Sequence, residues 1–238
     1  MVANCRASRR PPAQPIDQTL ARQGKSSPSI SKGISWPYSR KGNLKLKNND
    51  GLLRLVLVRH GDIIHPGVAA FDEAVLSEAG KAQMRELAAH WPCDRPTQVF
   101  SSTLPRALQS GMILCESFGT SLRALADLRE WSPSFDNITE EEYLRREEEC
   151  WRDLDREPDT GESINEATER IGRGMRRVVD EMVRGEAAVV GHGMIFTMFL
   201  ASIRGEKPDI EYKRKIRNAA TAVVEYEGGS FRIVKEFF

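Results

Sequence analysis

The sequence has no long apolar run and only four cysteines, and both shortages narrow the class of protein. No stretch approaches the ~20 apolar residues that a membrane-spanning helix needs, so we expect no membrane span. The cysteines show neither the spacing of a disulfide framework nor that of a metal site: Cys5, Cys93, Cys115 and Cys150. Reduced thiols in a cytoplasmic protein are the simplest interpretation.

An excess of charge of one sign is also missing, since the formal net charge of the 238 residues is +1. The charge is nevertheless unevenly spread along the chain. Residues 1–50 carry ten Lys and Arg side chains against two Asp, a net charge of +8, which leaves −7 for the remaining residues. A mildly acidic body gives no reason to expect a nucleic acid as a partner.

The basic segment of residues 1–50 is rich in Pro, Ser and Gln and has no sustained apolar period. Such a segment cannot bury enough surface to offset the entropy of ordering it, so we predict a disordered tail. It lacks the apolar run of a secretory signal, and we prefer a plain solvated tail or an over-extended start to an organellar transit peptide. Residues 51–238 suffice for one domain with a sizeable core, and we assign them to a single domain.

The most informative stretch is residues 52–61, Leu-Leu-Arg-Leu-Val-Leu-Val-Arg-His-Gly. Six of its first seven residues are apolar and two are β-branched, which predicts a fully buried strand of a parallel sheet. The strand delivers Arg59 and His60 at its carboxyl end, the edge at which open α/β sheets bind ligands. Taken alone, the tripeptide is explained as well by a histidine that merely ends a strand.

The same pattern returns near the carboxyl terminus of the chain. Residues 187–190 predict another buried strand, which ends in Gly-His-Gly with His192 at its centre, and an almost wholly apolar helix follows over residues 194–203. Two histidines at the ends of parallel strands of one sheet share an edge and can face each other. We therefore interpret His60 and His192 as a functional pair.

Caps and prolines predict two helices between these strands. Ser77 caps a helix that Pro92 stops, and a short strand over residues 97–100 precedes a second helix capped by Thr103. Arg106 then lies in the opening turn of that helix, just past the carboxyl end of a strand. Because the helix dipole disfavours a cation there, a nearby anionic ligand would explain it. An ordinary surface arginine is the alternative.

Two capping boxes predict two further helices. Thr139 with Glu142 opens an acidic helix that extends to about residue 156, with these side chains facing inward: Tyr143, Leu144, Trp151 and Leu154. Ser163 with Glu166 opens a long helix whose core residues recur at steps of three and four: Ile164, Ala167, Ile171, Met175, Val178 and Met182. Short strands over residues 121–125, 220–225 and 231–237 complete the predicted elements.

Taken in chain order, six motifs resemble those of the histidine phosphatase superfamily, also called phosphoglycerate-mutase-like. They lie at residues 57–61, 76–80, 101–107, 128–130, 161–163 and 190–193. The resemblance covers the chain from about Leu52 onwards and leaves the basic tail without a counterpart. It implies an α/β fold, a three-layer α/β/α sandwich with a mostly parallel sheet.

The resemblance also implies a role for each matching residue. His60 is the nucleophile that becomes a phosphohistidine, and Arg59, Arg106 and His192 hold the transferred phosphoryl group. Glu130 occupies the position of the proton donor to the leaving oxygen. With two arginines on the phosphate, we expect no metal ion or other cofactor. The implied activity is that of a metal-independent phosphomonoesterase acting on a small phosphorylated metabolite.

These residue types suit phosphoryl transfer, which needs an in-line nucleophile, positive charge around the equatorial oxygens and an acid for the leaving group. Guanidinium groups match phosphate geometry better than lysine point charges. We expect the neighbouring charge of Arg59 to favour the neutral, nucleophilic form of His60.

Two other functions remain as alternatives: a phosphoglycerate-type mutase, and a module that binds a phosphorylated ligand or protein without turnover. The chain departs from the family pattern at Asp62, where Glu or Gln is common, and over residues 131–135, which help to wall the pocket. Three side candidates are weighed and left out of the catalytic set: His65, Asp127 and Glu162.

Overall fold

The computed structural model describes residues 51–65, 68–131, 133, 138–182 and 185–237. The predicted disordered tail over residues 1–50 lies outside the described residues, as do Ser132, Ser134 and Phe135 of the segment that departs from the family pattern. No helix in the described part of the chain is long and apolar enough to cross a bilayer. The described cysteines are free thiols: Cys93, Cys115 and Cys150.

The described residues form one six-stranded sheet, in the order β3-β2-β4-β1-β5-β6. Strands β1 to β4 pair in parallel, whereas β5 runs antiparallel to both of its neighbours, so the sheet is mostly parallel as predicted. The strands are β1 (Leu53–Arg59), β2 (Gln98–Ser101), β3 (Leu122–Ala124), β4 (Glu186–Gly191), β5 (Thr221–Glu227) and β6 (Ser230–Lys235).

Helices cover both faces of this sheet, which confirms the three-layer α/β/α sandwich. Helices α1 and α2 pack on one face, and α4 and α5 pack on the other together with the end of α3. The helices are α1 (Glu78–Ala89), α2 (Pro105–Phe118), α3 (Glu140–Arg152), α4 (Ile164–Glu181), α5 (Gly193–Arg204) and α6 (Ile210–Lys215), with short 3-10 helices at Val68–Glu73 and Ala126–Leu128.

The central strand β1 is buried on both faces, as its apolar run predicts. Leu55 and Leu57 join the core beneath α4 and α5, whereas Val56 and Val58 join the core beneath α1 and α2. All four side chains are fully buried. A strand enclosed in this way holds the polar residues that follow it at a fixed position.

The predicted caps of α1 and α4 are confirmed. The Ser77 hydroxyl accepts the Gly80 N–H at 3.0 Å, and Ser163 and Glu166 form a complete capping box. All six apolar residues predicted to face inward from α4 and its carboxyl end are buried. Both helices are therefore specified by their local sequence.

The predicted start of α2 is wrong by one residue. The N-cap is Leu104 in an extended conformation, with Pro105 as the first helical residue, and Thr103 is exposed. The Ser102 hydroxyl accepts the Leu104 N–H at 3.2 Å, so a side chain outside the helix satisfies a donor near its start. The chain thereby needs no hydroxyl at the cap position.

Helix α3 differs from its prediction in three respects. It ends at Arg152 rather than near residue 156, and Leu144 is 52% exposed rather than inward-facing. Thr139 accepts the Glu142 N–H, but the Glu142 carboxylate bonds Arg145 and Arg146 and completes no capping box. Arginines one turn along the helix compete for that carboxylate at close range.

Two glycines allow the loop after β1 to touch the start of α1. A Cβ on Gly80 would lie 2.0 Å from the Asp62 carbonyl oxygen, and a Cβ on Gly61 would lie 2.5 Å from the Gly80 carbonyl oxygen. Backbone groups form both contacts, so no flexible side chain can yield. The close approach fixes the path of the chain immediately after His60.

We predict that Gly80→Ala destabilises the protein by about 1–3 kcal/mol, because the added methyl group must push two backbone segments apart. Urea unfolding followed by circular dichroism measures the change in midpoint. Gly172→Ala is the matched control, since nothing lies within 4 Å of its Cβ and alanine favours a helix over glycine by up to ~1 kcal/mol. Equal midpoints for Gly80→Ala and wild type would contradict the close contact.

Candidate active site

The two strand-tip histidines meet at one edge of the sheet. Strands β1 and β4 are parallel neighbours with Arg59 paired to Gly191, so His60 and His192 follow side by side. The His60 N–H donates to the Gly191 carbonyl at 3.0 Å. The two imidazole centroids lie 5.2 Å apart in an edge-to-face arrangement. The expectation that the two rings face each other is confirmed.

His60 is held as a neutral imidazole with one free ring nitrogen. Its Nδ1 lies 2.7 Å from the Gly61 carbonyl oxygen, which can only accept, so Nδ1 carries the proton and Nε2 a lone pair. The side chain is only 4% exposed. Burial lowers the pKa of His60 to about 3; the charges of Arg59 and Arg106 also lower it, against the bond to Gly61. We predicted that the charge of Arg59 keeps His60 neutral, but desolvation lowers its pKa more than Arg59 does.

His192 is fully buried and contacts Ser102 of the loop after β2. Its Nε2 lies 2.8 Å from the Ser102 hydroxyl oxygen, which also accepts the Leu104 N–H. When the hydroxyl donates its hydrogen to His192 Nε2, the imidazole proton lies on Nδ1. Burial, followed by the proximity of His60 and Arg106, lowers the pKa of His192 well below its usual value. Ser102 lies in a predicted motif, but sequence reasoning gave it no role.

The charges of the two predicted arginines act on both histidines of this pair. Arg106 is fully buried in the first turn of α2, donates to the Phe71 carbonyl at 2.7 Å and stacks 4.7 Å from the Phe71 ring centroid. Arg59 donates to the Ile216 carbonyl. Burial lowers the pKa of both guanidinium groups, and the Glu130 carboxylate opposes this change.

Four buried nitrogens around His60 have no hydrogen-bond partner among the described residues: Arg59 Nε, Arg106 Nε, Arg106 Nη2 and His192 Nδ1. The three arginine nitrogens are N–H donors, and His192 Nδ1 is a fourth in the tautomer that carries its proton there. Unsatisfied buried donors cost free energy, and a native fold rarely keeps several together without an acceptor. The arrangement suits a compact anion with several acceptor oxygens, such as a phosphoryl group.

Glu130 lies beside His192 at the start of α5. Its Oε1 accepts the backbone N–H of Ile195 at 2.9 Å and that of Trp131 at 3.1 Å. Its Oε2 accepts the backbone N–H of Met194 at 3.1 Å. The carboxylate therefore caps a helix whose own N-cap, His192, makes no side-chain cap bond. An anion at this position is favoured by the exposed N–H groups and the helix dipole.

An arginine that sequence reasoning missed holds the segment before Glu130. Arg170 bonds both oxygens of Glu162 and donates to the backbone carbonyls of Asp127 and Arg129, each at 2.8 Å. The side candidate Glu162 therefore acts on this segment through Arg170. Nothing in the sequence distinguishes Arg170 from the other arginines on the polar face of α4.

The other two side candidates contact residues other than the two histidines. Asp127 packs its Cβ against the backbone of Gly174 in α4 and offers its carbonyl to Arg170. His65 is exposed and contacts the Phe71 ring at a centroid distance of 5.4 Å. Phe71 therefore links His65 to the Arg106 guanidinium, on which it stacks.

The lowered pKa of His60 predicts a dependence of stability on pH. Its folded-state pKa lies below the unfolded value, so its stabilising contribution is present above about pH 6.5 and is lost as the pH falls towards about 3. Within this window one such histidine steepens the fall in unfolding free energy by roughly 1.4 kcal/mol per pH unit.

Urea unfolding of wild type and His60→Gln in phosphate-free buffer between pH 4.5 and 8 measures this contribution. The wild-type curve should fall more steeply below pH 6, and the two slopes should coincide above pH 7. Parallel curves throughout would show that His60 has the same pKa in the folded and the unfolded protein, contrary to the effect of its burial.

Comparisons with known proteins agree with this geometry. Residues 55–237 match the histidine phosphatase superfamily, branch 1. The chain is 26% identical over 185 residues to the probable phosphoglycerate mutase GpmB of Yersinia enterocolitica, which covers 74% of this chain and 86% of that protein.

Two solved structures share the fold. Mycobacterial glucosyl-3-phosphoglycerate phosphatase Rv2419c superposes with a TM-score of 0.62 at 22% identity, covering 78% of this chain and 98% of the other. Phosphoserine phosphatase from Entamoeba histolytica, in complex with 3-phosphoglyceric acid, superposes with a TM-score of 0.62 at 17% identity. That match covers 77% of this chain and 95% of the other. The superfamily match spans every strand and helix described above except the first two residues of β1. This chain belongs to the histidine phosphatase superfamily.

Proposed function

We propose that this protein is a phosphomonoesterase that acts on a small phosphorylated metabolite through a phosphohistidine at His60. The observation that carries the proposal is the neutral His60 imidazole, together with four buried nitrogens that have no hydrogen-bond partner among the described residues. A nucleophile and an anion-binding site thus share one edge of the sheet. The assignment of this activity to residues 51–238 is part of the proposal.

In the first step, the lone pair of His60 Nε2 attacks phosphorus and the bond from phosphorus to the alcohol oxygen breaks. Arg59, Arg106 and His192 hold the three equatorial oxygens, where their N–H groups stabilise the charge of the transition state. The proton on His60 Nδ1 stays there and donates to the Gly61 carbonyl throughout, so the imidazole gains the phosphoryl group without losing its orientation.

The leaving oxygen takes its proton from Glu130, and in the second step Glu130 takes a proton from the attacking water. Water attacks phosphorus, the bond between phosphorus and His60 Nε2 breaks, and inorganic phosphate departs. The donor role requires a protonated Glu130 that turns one oxygen away from the N–H groups of α5. Two easier steps thereby replace one difficult displacement.

The comparisons support a phosphatase-type enzyme. The superfamily is that of histidine phosphatases, and two proteins of the same fold are named phosphatases. The name of the Yersinia relative favours a second candidate, phosphoglycerate mutase activity. Release of inorganic phosphate from 3-phosphoglycerate supports the phosphatase, whereas conversion to 2-phosphoglycerate without phosphate release supports the mutase.

We predict that ³²P from a labelled substrate is trapped on the protein in an acid-labile, alkali-stable form, and that His60→Ala abolishes both the label and turnover. Rapid acid-free quenching and scintillation counting measure the label. His90→Ala, at the exposed end of α1, is the matched control and should keep both. Hydrolysis of p-nitrophenyl phosphate by His60→Ala at the wild-type rate would exclude the mechanism.

We predict that Glu130→Gln slows phosphoenzyme formation from glycerol 3-phosphate by about 10²–10⁴-fold, because an alkoxide needs a proton donor to leave. p-Nitrophenolate leaves without one, so formation from p-nitrophenyl phosphate should slow much less. Quenched-flow measurement of both substrates on the same variant provides its own control for folding. Equal slowing of both substrates would show that Glu130 is not the proton donor.

A further inference from the structure

A polar cleft of about 630 Å³ lies between α1 and the segment that leads into β5. Gln83 of α1 forms part of one wall, and Arg214 and Arg217 are among the residues that line the cleft. The sequence of this segment, Lys-Arg-Lys-Ile-Arg over residues 213–217, places four cations within five positions. No role in the proposed reaction uses any of them.

The backbone that lines this cleft also touches the catalytic strand end. The Ile216 carbonyl accepts the Arg59 guanidinium, and the Ala219 N–H donates to the carbonyls of Arg59 and His60 at 3.1 and 3.2 Å. Ala219 is the one described residue other than glycine with a positive φ, +56°. The segment that lines the cleft is therefore anchored to the end of β1 that carries Arg59 and His60.

The groups that the cleft offers are mainly hydrogen-bond donors. Arg217 is exposed, and its guanidinium makes no hydrogen bond or ion pair with another described residue. The side-chain oxygen of Gln83, Oε1, accepts the backbone N–H of Asp62 at 2.9 Å, which leaves the side-chain NH₂ group for the cleft. Arg214 bonds Glu211 through one nitrogen and keeps its other N–H groups. These donors match a carboxylate or phosphate.

Two carboxylates border the cleft and are already engaged. Asp62 accepts the Ser77 hydroxyl at 2.6 Å and the Asn218 amide at 3.2 Å, and Glu211 is paired with Arg214. On α6, Lys213 extends the positive charge towards the reaction centre, since a Cβ on Gly193 would lie 3.6 Å from both Lys213 Cγ and Arg59 Nε. Positive charge therefore continues from Arg59 to the cleft.

We propose that this cleft binds a second anionic group of the substrate, with Arg217 as its principal ligand and Arg214 and Gln83 beside it. The inference rests on the proposed function and specifies its substrate class: phosphorylated metabolites that carry a second phosphate or a carboxylate. Gln83 and Arg217 are specificity-determining residues that leave the transferred phosphoryl group untouched.

Calorimetric binding to the His60→Ala protein tests the proposal without turnover. Two matched pairs of probes differ in the second anion: 3-phosphoglycerate with glycerol 3-phosphate, and fructose 1,6-bisphosphate with fructose 6-phosphate. In at least one pair, adding Arg217→Gln should weaken binding of the member with two anionic groups by about tenfold or more, as expected for a lost charged hydrogen bond. The members with one anionic group should change less than twofold.

Arg173→Gln is the matched control, since Arg173 is an exposed arginine of α4, on the other face of the sheet. It should leave all four affinities unchanged. The proposal would be overturned if the His60→Ala protein bound both pairs equally well with and without Arg217→Gln. Equal weakening of all four probes would overturn it too. Because the assay measures binding, a failure of the phosphohistidine mechanism leaves its result interpretable.

Discussion

The parallel pairing of β1 with β4 is the constraint on which the site depends. It sets Arg59 opposite Gly191, so the next residue of each strand is a histidine and both rings emerge from one edge. A slip of one residue in this register would turn one imidazole to the other face of the sheet. The buried alternation of Leu55, Val56, Leu57 and Val58 fixes the register, because each side chain fits only one of the two cores.

Burial gives these polar groups their chemical character. In water an imidazole is partly protonated near neutrality, and a guanidinium is satisfied by solvent. Here desolvation is the largest influence on His60, His192, Arg59 and Arg106 alike. The low-dielectric surroundings keep the imidazoles neutral while leaving cationic donors beside them. A neutral imidazole and cationic donors can then coexist in one buried cluster.

The sequence predicted those parts of the fold that follow from local pattern. Apolar runs located β1 and β4, and the Ser163–Glu166 box with its helical period located α4. The juxtaposition of His60 and His192 followed from a general property of parallel sheets. The assignment of Arg106 to a helix start near a strand end was likewise confirmed.

Features that depend on distant contacts were missed. The Ser102 hydroxyl bonds both His192 and the Leu104 N–H. Arg170 donates to two carbonyls more than forty residues away in sequence, and the cleft around Arg217 needs both α1 and the segment before β5. Leu144 was predicted to face inward from its spacing, yet no described element covers it and it is exposed. Helix α6 has only six residues, too few to display a period.

The position of Glu130 at the start of α5 links the chemistry to the dynamics of a helix. If its carboxylate turns towards a reacting oxygen, the amide hydrogens of Met194 and Ile195 lose their acceptor and become accessible to solvent exchange. Those two amides therefore report on each departure of the carboxylate from its resting position.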